Sequence, residues 1–167
     1  MLPETAAAGD SLTGEPLTGE LAHFRALESL YRTAPINRLF PSTLTIVEPG
    51  FARIRFDVDA SVHHAAGAAH GTSYFKMLDD AAFYAANSLV SDTFLLTTAF
   101  NLLFTRPITA GPIVAEGRWI SGKRRVYVAD ARLIDAEGEE CARGTGTFMR
   151  SRIPLASLPG YAQAMRE

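Results

Sequence analysis

Asp79 and Asp80 stand side by side in AAHGTSYFKMLDDAAFYAANS, residues 68–88, the most apolar stretch of the chain. Burying an ionised carboxylate without compensation is costly, so a pair of them at this place needs a reason. On a 3.6-residue turn Lys76 lies one turn before Asp80 and can reach it as an i,i+4 ion pair. Asp79, about 100° further round the axis, is less well placed for that contact, which leaves it as the candidate for chemistry. Upstream, His70-Gly71 falls at the start of the same segment, where the first backbone N–H groups of a helix have no internal partner and the dipole favours negative charge. Gly71 has no Cβ, so a carbonyl could approach its backbone closely. An anion-binding donor, a polar orienter and a carboxylate acting as nucleophile or general base are the parts of acyl hydrolysis. Other readings of these residues exist. Asp79 could be a buried structural acid, and Tyr74, Phe75, Phe83 and Tyr84 could be plain packing or the lining of an acyl or aryl pocket. His63, His64, His70 and Asp79 could in principle ligate a metal, but their spacing matches no tetrahedral or facial site, so neither a metal nor another cofactor is expected.

The elements that must hold these groups follow from periodicity. With 167 residues, 47% of them apolar, the chain can bury one core and is short for two domains. A formal charge of −2 without a basic stripe argues against nucleic acid as a partner. The single Cys141 excludes an intramolecular disulfide framework and suits a reducing cytoplasm. The N-terminus has acidic residues where a signal peptide would be basic and then apolar. No run approaches the roughly 18–20 apolar residues needed to span a bilayer, so no membrane partner is expected. Residues 1–18, rich in Gly, Pro, Ala, Thr and acid, read as a disordered tail. Leu21, Phe24, Leu27, Leu30 and Tyr31 then recur at helical spacing until Pro35 closes the segment. TLTIVEPGFARIRFDVDA reads as two strands around Pro49-Gly50, with Ala52, Ile54, Phe56 and Val58 alternating against charged neighbours. Residues 72–87, nearly apolar all round, predict a helix enclosed by the fold. Beyond Asp92 the segments TFLLTTAFNLLFTRPI, GPIVAEGRWI, RRVYVADARLID and EECARGTGTFMR predict a long buried strand and three more, in a four-strand meander. One apolar helix and one large antiparallel sheet are most simply packed by curling the sheet round the helix, an α+β arrangement. The boundaries expected are a single domain over 19–155, N-terminal helix included, and a C-terminal tail over 156–167.

The run His64-x-x-Gly67-x-x-His70-Gly71, followed by Leu78-Asp79, Thr97, Asn101-Leu102-Leu103-Phe104 and Arg106-Pro107, resembles the hotdog-fold acyl-CoA thioesterases of the phenylacetate-type, or PaaI-like, group. The resemblance covers roughly residues 40–150 and is gapless to Asn101. It implies a sheet of five or six antiparallel strands wrapped around one long central helix, and two protomers paired so that each active site lies at their interface. In that pattern the catalytic carboxylate follows the His-Gly by nine positions from the His, which falls on Asp79 rather than Asp80. The auxiliary Ser or Thr that positions water, usually supplied by the partner subunit, falls on Thr97. Two departures stand out. His64 occupies a position that is commonly Asn, which would add a titratable donor, and Thr72 replaces a second Gly, narrowing the space at the helix start.

The activity implied is hydrolysis of a short, medium or aryl acyl-CoA thioester, with the carbonyl against the Gly71 N–H and oriented by His70. One such oxyanion donor is often worth about 3 kcal/mol. Catalytic candidates are Asp79, His70, Gly71, His64 and Thr97; substrate-binding candidates are Thr72, Asn101, Arg106, Lys123, Arg124 and Arg125, the cations being suited to the phosphates of coenzyme A. The alternatives are a hydratase or dehydratase on the same fold, against which the absence of a His-Phe-Pro-Gly stretch speaks, and a non-catalytic acyl-CoA binder. A curled sheet leaves edge strands exposed, so a homodimer, or a dimer of dimers, is expected.

Overall fold

The computed structural model describes residues 18–166. The tail expected at 1–18 therefore lies outside the described residues, except for Thr18, which opens α1 (Thr18–Thr33). In α1 the apolar stripe buries Phe24, Leu27 and Tyr31. The Pro35–Arg38 3-10 turn then leads into β1 (Ser42–Glu48) and β2 (Phe51–Val58). Gly50, at φ +79°, makes their turn, a conformation an L side chain rarely adopts. After a 3-10 turn at Ala60–Val62 comes the central α2 (Gly71–Asn87), followed by β3 (Thr93–Phe104), β4 (Gly111–Ser121), β5 (Val126–Ile134) and β6 (Glu140–Pro154).

The six strands form one antiparallel sheet in the order β1-β2-β4-β5-β6-β3. Only β4, β5 and β6 run as a meander; β3 crosses to the far side of β6 and is an edge strand. The expectation of four meandering strands with a long buried first one is corrected on both counts. Of β3 only Leu95 is fully buried, and Leu96, Leu103 and Phe104 are 47%, 63% and 56% exposed. A continuous apolar run predicts a buried strand, whereas here it marks an uncovered edge.

The sheet curls round α2, whose buried side chains include Met77, Leu78, Ala81, Ala82, Ala85 and Ala86. Close approach depends on small residues. A Cβ on Gly117 of β4 would lie 2.0 Å from the Ala81 carbonyl oxygen, so Gly117 permits the contact. Asn87, fully buried, fixes the end of α2 to the start of β3: its Oδ1 accepts from Leu95 N–H at 3.0 Å and its Nδ2 donates to Val90 O at 3.0 Å. These bonds satisfy polar groups that burial would otherwise leave unpaired, and they set the register of β3 against the helix.

Residues after 155, expected as a tail, form a 3-10 turn at Leu155–Ser157 and α3 (Pro159–Ala164). Leu155 and Tyr161 are buried. The buried His23 of α1 donates from Nε2 to Asn87 O at 3.2 Å, so its Nδ1 accepts from the Tyr161 hydroxyl at 2.7 Å. One imidazole thereby joins α1, α3 and the C-terminal end of α2. Burial lowers its pKa, consistent with the neutral form that this donor and acceptor pattern requires.

Candidate active site

Between the end of α1, the Pro35–Arg38 turn and β3, the side of α2 is not covered by the sheet. A cleft of about 270 Å³ opens there, with Asp79, Asp80, Lys76, Thr97, Tyr31 and Tyr84 among its walls. Thr97 Oγ1 donates to Asp79 Oδ1 at 3.0 Å. This Thr97 belongs to the same chain as Asp79, in contrast to the partner-supplied residue usual in the pattern.

A bulge in β3 follows directly after that contact. The pairing of β3 with β6 shifts register between Thr97 and Ala99, so Thr98 is an extra residue on its strand. Strict alternation from the buried Leu95 would aim Thr97 and then Ala99 at the helix. Thr97, ahead of the inserted residue, meets Asp79 by that alternation, and the inserted Thr98 resets the phase beyond it, so that Phe100 rather than Ala99 faces the helix and meets Phe75, with ring centroids 5.7 Å apart.

Lys76 and Asp80 form the expected i,i+4 ion pair, and the Lys76 ammonium lies 5.0 Å from the centre of the Tyr31 ring. Lys76 is thus committed, and Asp79 has no bonded cation among the described residues. Burial raises the Asp79 pKa, the Thr97 bond opposes the rise, neighbouring Asp80 adds to it and Lys76 reduces it; the balance is pushed up to about 6. Burial also raises Asp80, with Lys76 opposing.

The sign of the linkage is clear. A carboxyl whose folded pKa exceeds its unfolded value lowers stability when ionised; the penalty is largest above pH 6 and shrinks as pH falls through 6 towards 4. Asp79→Asn is therefore expected to raise Tm at pH 8 by a few degrees, from a penalty of about 2–3 kcal/mol. Thermal melts of both proteins at pH 8 and pH 4.5 check this, with the gap narrowing at the lower pH. A lower Tm for Asp79→Asn at pH 8 would contradict it.

The helix start lies at a second cleft, of about 430 Å³, lined by His64, Ala69, Gly71, Tyr74, Phe104 and Arg106 among others. His70 is the N-cap of α2: its Nδ1 accepts the Thr72 N–H at 3.1 Å. A backbone N–H is necessarily the donor, so a neutral His70 carries its proton on Nε2. His64 has the same arrangement, Nδ1 accepting the Ala66 N–H at 3.0 Å, which leaves Nε2 available to a ligand. The Gly71 N–H is one of the unpaired donors of the first turn. A Cβ on Gly71 would lie 3.1 Å from Phe104 Cζ, so a larger residue would crowd this donor.

One chain does not bring Gly71 and Asp79 into the same small space. Eight residues separate them along α2, a rise of about 12 Å, and each lines a different cleft. Within one chain the acid and the amide therefore belong to separate clefts. Arg106 lines the Gly71 cleft and forms an exposed ion pair with Glu139 at 3.3 Å. Thr72 is exposed, with its hydroxyl 3.1 Å from His70 Nδ1. Asn101, exposed on β3, lines neither cleft, and nor do Lys123, Arg124 and Arg125 at the β4–β5 turn. Sequence reasoning gave Tyr31 and Lys76 no role in a site and left Tyr84 between plain packing and pocket lining. The i,i+4 series Lys76, Asp80, Tyr84 down one side of α2 was the available signal. Among the described residues no three His, Cys, Asp or Glu side chains gather as a metal site, and no helix is long and apolar enough to cross a membrane.

A six-stranded antiparallel sheet curled round one long helix is the hotdog fold. Residues 66–142 match the model of the Thioesterase superfamily. A protein of Saccharolobus solfataricus, named as a proposed esterase, is 29% identical over 103 residues, which are 62% of this chain and 69% of that one. The structure of PaaI from the phenylacetic acid degradation operon of E. coli aligns with a TM-score of 0.74 at 20% identity, over 81% of this chain and 97% of that one. A variant of the phenylacetic acid degradation protein PaaI from Thermus thermophilus aligns at 0.64 and 24% identity, over 71% and 100%. These matches show the hotdog fold, and over residues 66–142 a likeness to the Thioesterase superfamily.

Proposed function

We propose that the chain is an acyl-CoA thioesterase whose site is completed by a second copy, with Asp79 and Thr97 of one protomer facing Gly71, His70 and His64 of the other. The observation that carries this reading is the position of Phe75 and Phe100. Phe75, 44% exposed on α2, lies midway between Gly71 and Asp79. Its ring partner Phe100 lies close to midway between Thr97, which bonds Asp79, and Phe104, which abuts Gly71. A two-fold axis near this ring pair, joining two β3 edges antiparallel, sets each Asp79–Thr97 pair against the partner's Gly71. It also covers the exposed Leu96, Leu103 and Phe104 and pairs an edge strand that would otherwise invite aggregation.

In such a site the thioester carbonyl oxygen accepts from the Gly71 N–H, with the His70 Nε2–H beside it, and Arg106 is placed for a phosphate of coenzyme A. A carboxylate with a pKa near 6 is ionised at neutral pH yet basic enough to act as a general base. Asp79 takes a proton from a water held with Thr97, and the oxygen adds to the carbonyl carbon. As the C–S bond breaks, the sulfur leaves with that proton. The Thr97 bond keeps the accepting oxygen oriented.

Thiol release from a panel of acyl-CoAs, followed against pH, tests this reading. Log kcat/KM is expected to rise with unit slope to a break near pH 6 and stay level to pH 8. Absence of hydrolysis across the panel, or a rate unchanged from pH 5 to pH 8, would sink it.

A further inference from the structure

The Asp79 cleft does not end at its own walls. A second cavity, about 510 Å³, lies between α1, α3 and the last residues of β6. Ala34, Tyr84 and Phe94 belong to the walls of both, so the two spaces adjoin along a shared boundary. Beyond that boundary the lining is mainly apolar, with Leu30, Ile153 and Leu158 as its larger side chains. All three come from elements outside the stretch that matches the thioesterase model, residues 66–142.

From this continuity we infer that the second cavity receives the distal part of the acyl chain, making the protein selective for medium and longer acyl groups. The inference rests on the thioesterase reading above. An acyl carbonyl held at Asp79 leaves its chain to run along the Asp79 cleft, past Tyr84 and Phe94, and into the space under α3. Tyr84 forms a fixed part of this passage: its ring packs edge-on against Tyr31 at 5.4 Å and against Phe83 at 5.0 Å. It is 6% exposed and lines both spaces. The far wall is equally well held. The His23 bridge ties α1 and α3 to the end of α2, so the groove between them is a built feature. An apolar chain entering it removes hydrocarbon from water on both sides.

Ile153 suits the test because it is 40% exposed and lines the second cavity but not the Asp79 cleft. Ile153→Trp fills the groove, and Ile153→Ser removes its apolar wall without adding bulk. Hydrolysis of butyryl-, octanoyl- and lauroyl-CoA would be compared, with melting curves beside the rates. In the wild type kcat/KM is expected to rise with chain length. Ile153→Trp should lose roughly tenfold on lauroyl-CoA, the worth of about two buried methylenes, and stay within about twofold on butyryl-CoA; Ile153→Ser should show a smaller loss in the same direction. A wild type indifferent to length, or equal losses on all three substrates, would overturn the inference while leaving the thioesterase reading intact. No hydrolysis of any of the three would overturn both.

Discussion

Asp79→Asn is expected to lower kcat/KM for acyl-CoA hydrolysis by about a thousandfold, within the range a positioned general base contributes. The substitution keeps the shape of the side chain and an oxygen that can still accept from Thr97, so the loss reads the missing proton acceptor rather than a collapsed cleft. The same variant should melt no lower than the wild type above pH 6, because it removes a buried charge. Asp80→Asn supplies the contrast. Asp80 is the partner of Lys76, so its loss leaves an ammonium in a largely buried place and is expected to weaken the fold while activity stays within about tenfold. A dead Asp80→Asn beside an active Asp79→Asn would reverse the assignment of the two acids.

Gly71→Pro should cost about 10²–10³ in kcat, the usual effect of deleting one oxyanion donor. Proline is the substitution that removes this N–H with least disturbance, for local reasons. Gly71 is the first residue of α2, a position that proline tolerates because its N–H has no helical partner. His70 before it is extended, at φ −67° and ψ 146°, the conformation required of a residue preceding proline. The ring must displace Phe104 by a few tenths of an ångström, and Gly71→Ala, which makes the same contact but keeps the N–H, controls for that shift. Thiol release by the two variants decides the matter: equal activity in the Pro and Ala forms would remove the Gly71 amide from the chemistry.

Much of the architecture was legible because it is written in periodicity. The helical spacing from Leu21 to Tyr31, the alternation from Ala52 to Val58 and the apolar run of α2 each specify one element, and the structure contains them. The Lys76–Asp80 pair was legible for the same reason, since i,i+4 spacing on a helix is a local fact. The place of β3 was not. A strand apolar on both faces reads alike whether the sheet covers it or a second molecule does, and only the crossover to β6 distinguishes the two. The bulge at Thr98 was equally hidden, because Thr97, Thr98 and Ala99 carry no Gly or Pro to mark it. α3 is too short for a periodic signal, and its attachment depends on a bond between His23 and Tyr161, which are 138 residues apart. At the site, the spacing of nine from His70 to Asp79 located both groups, but distance along a helix is also distance in space. The residues themselves give no sign of which chain completes the site; only the family resemblance pointed to an interface.

That question admits a direct answer. Asp79→Asn and Gly71→Pro chains, each nearly inactive alone, would be co-expressed with different affinity tags and the mixed dimer isolated through both. If each site draws Asp79 from one copy and the Gly71 N–H from the other, the mixed dimer holds one site intact and the other doubly defective, and about half the wild-type activity should return. Activity no higher than that of the two parents would mean that both groups act within a single chain, contrary to the helix geometry on which the account stands.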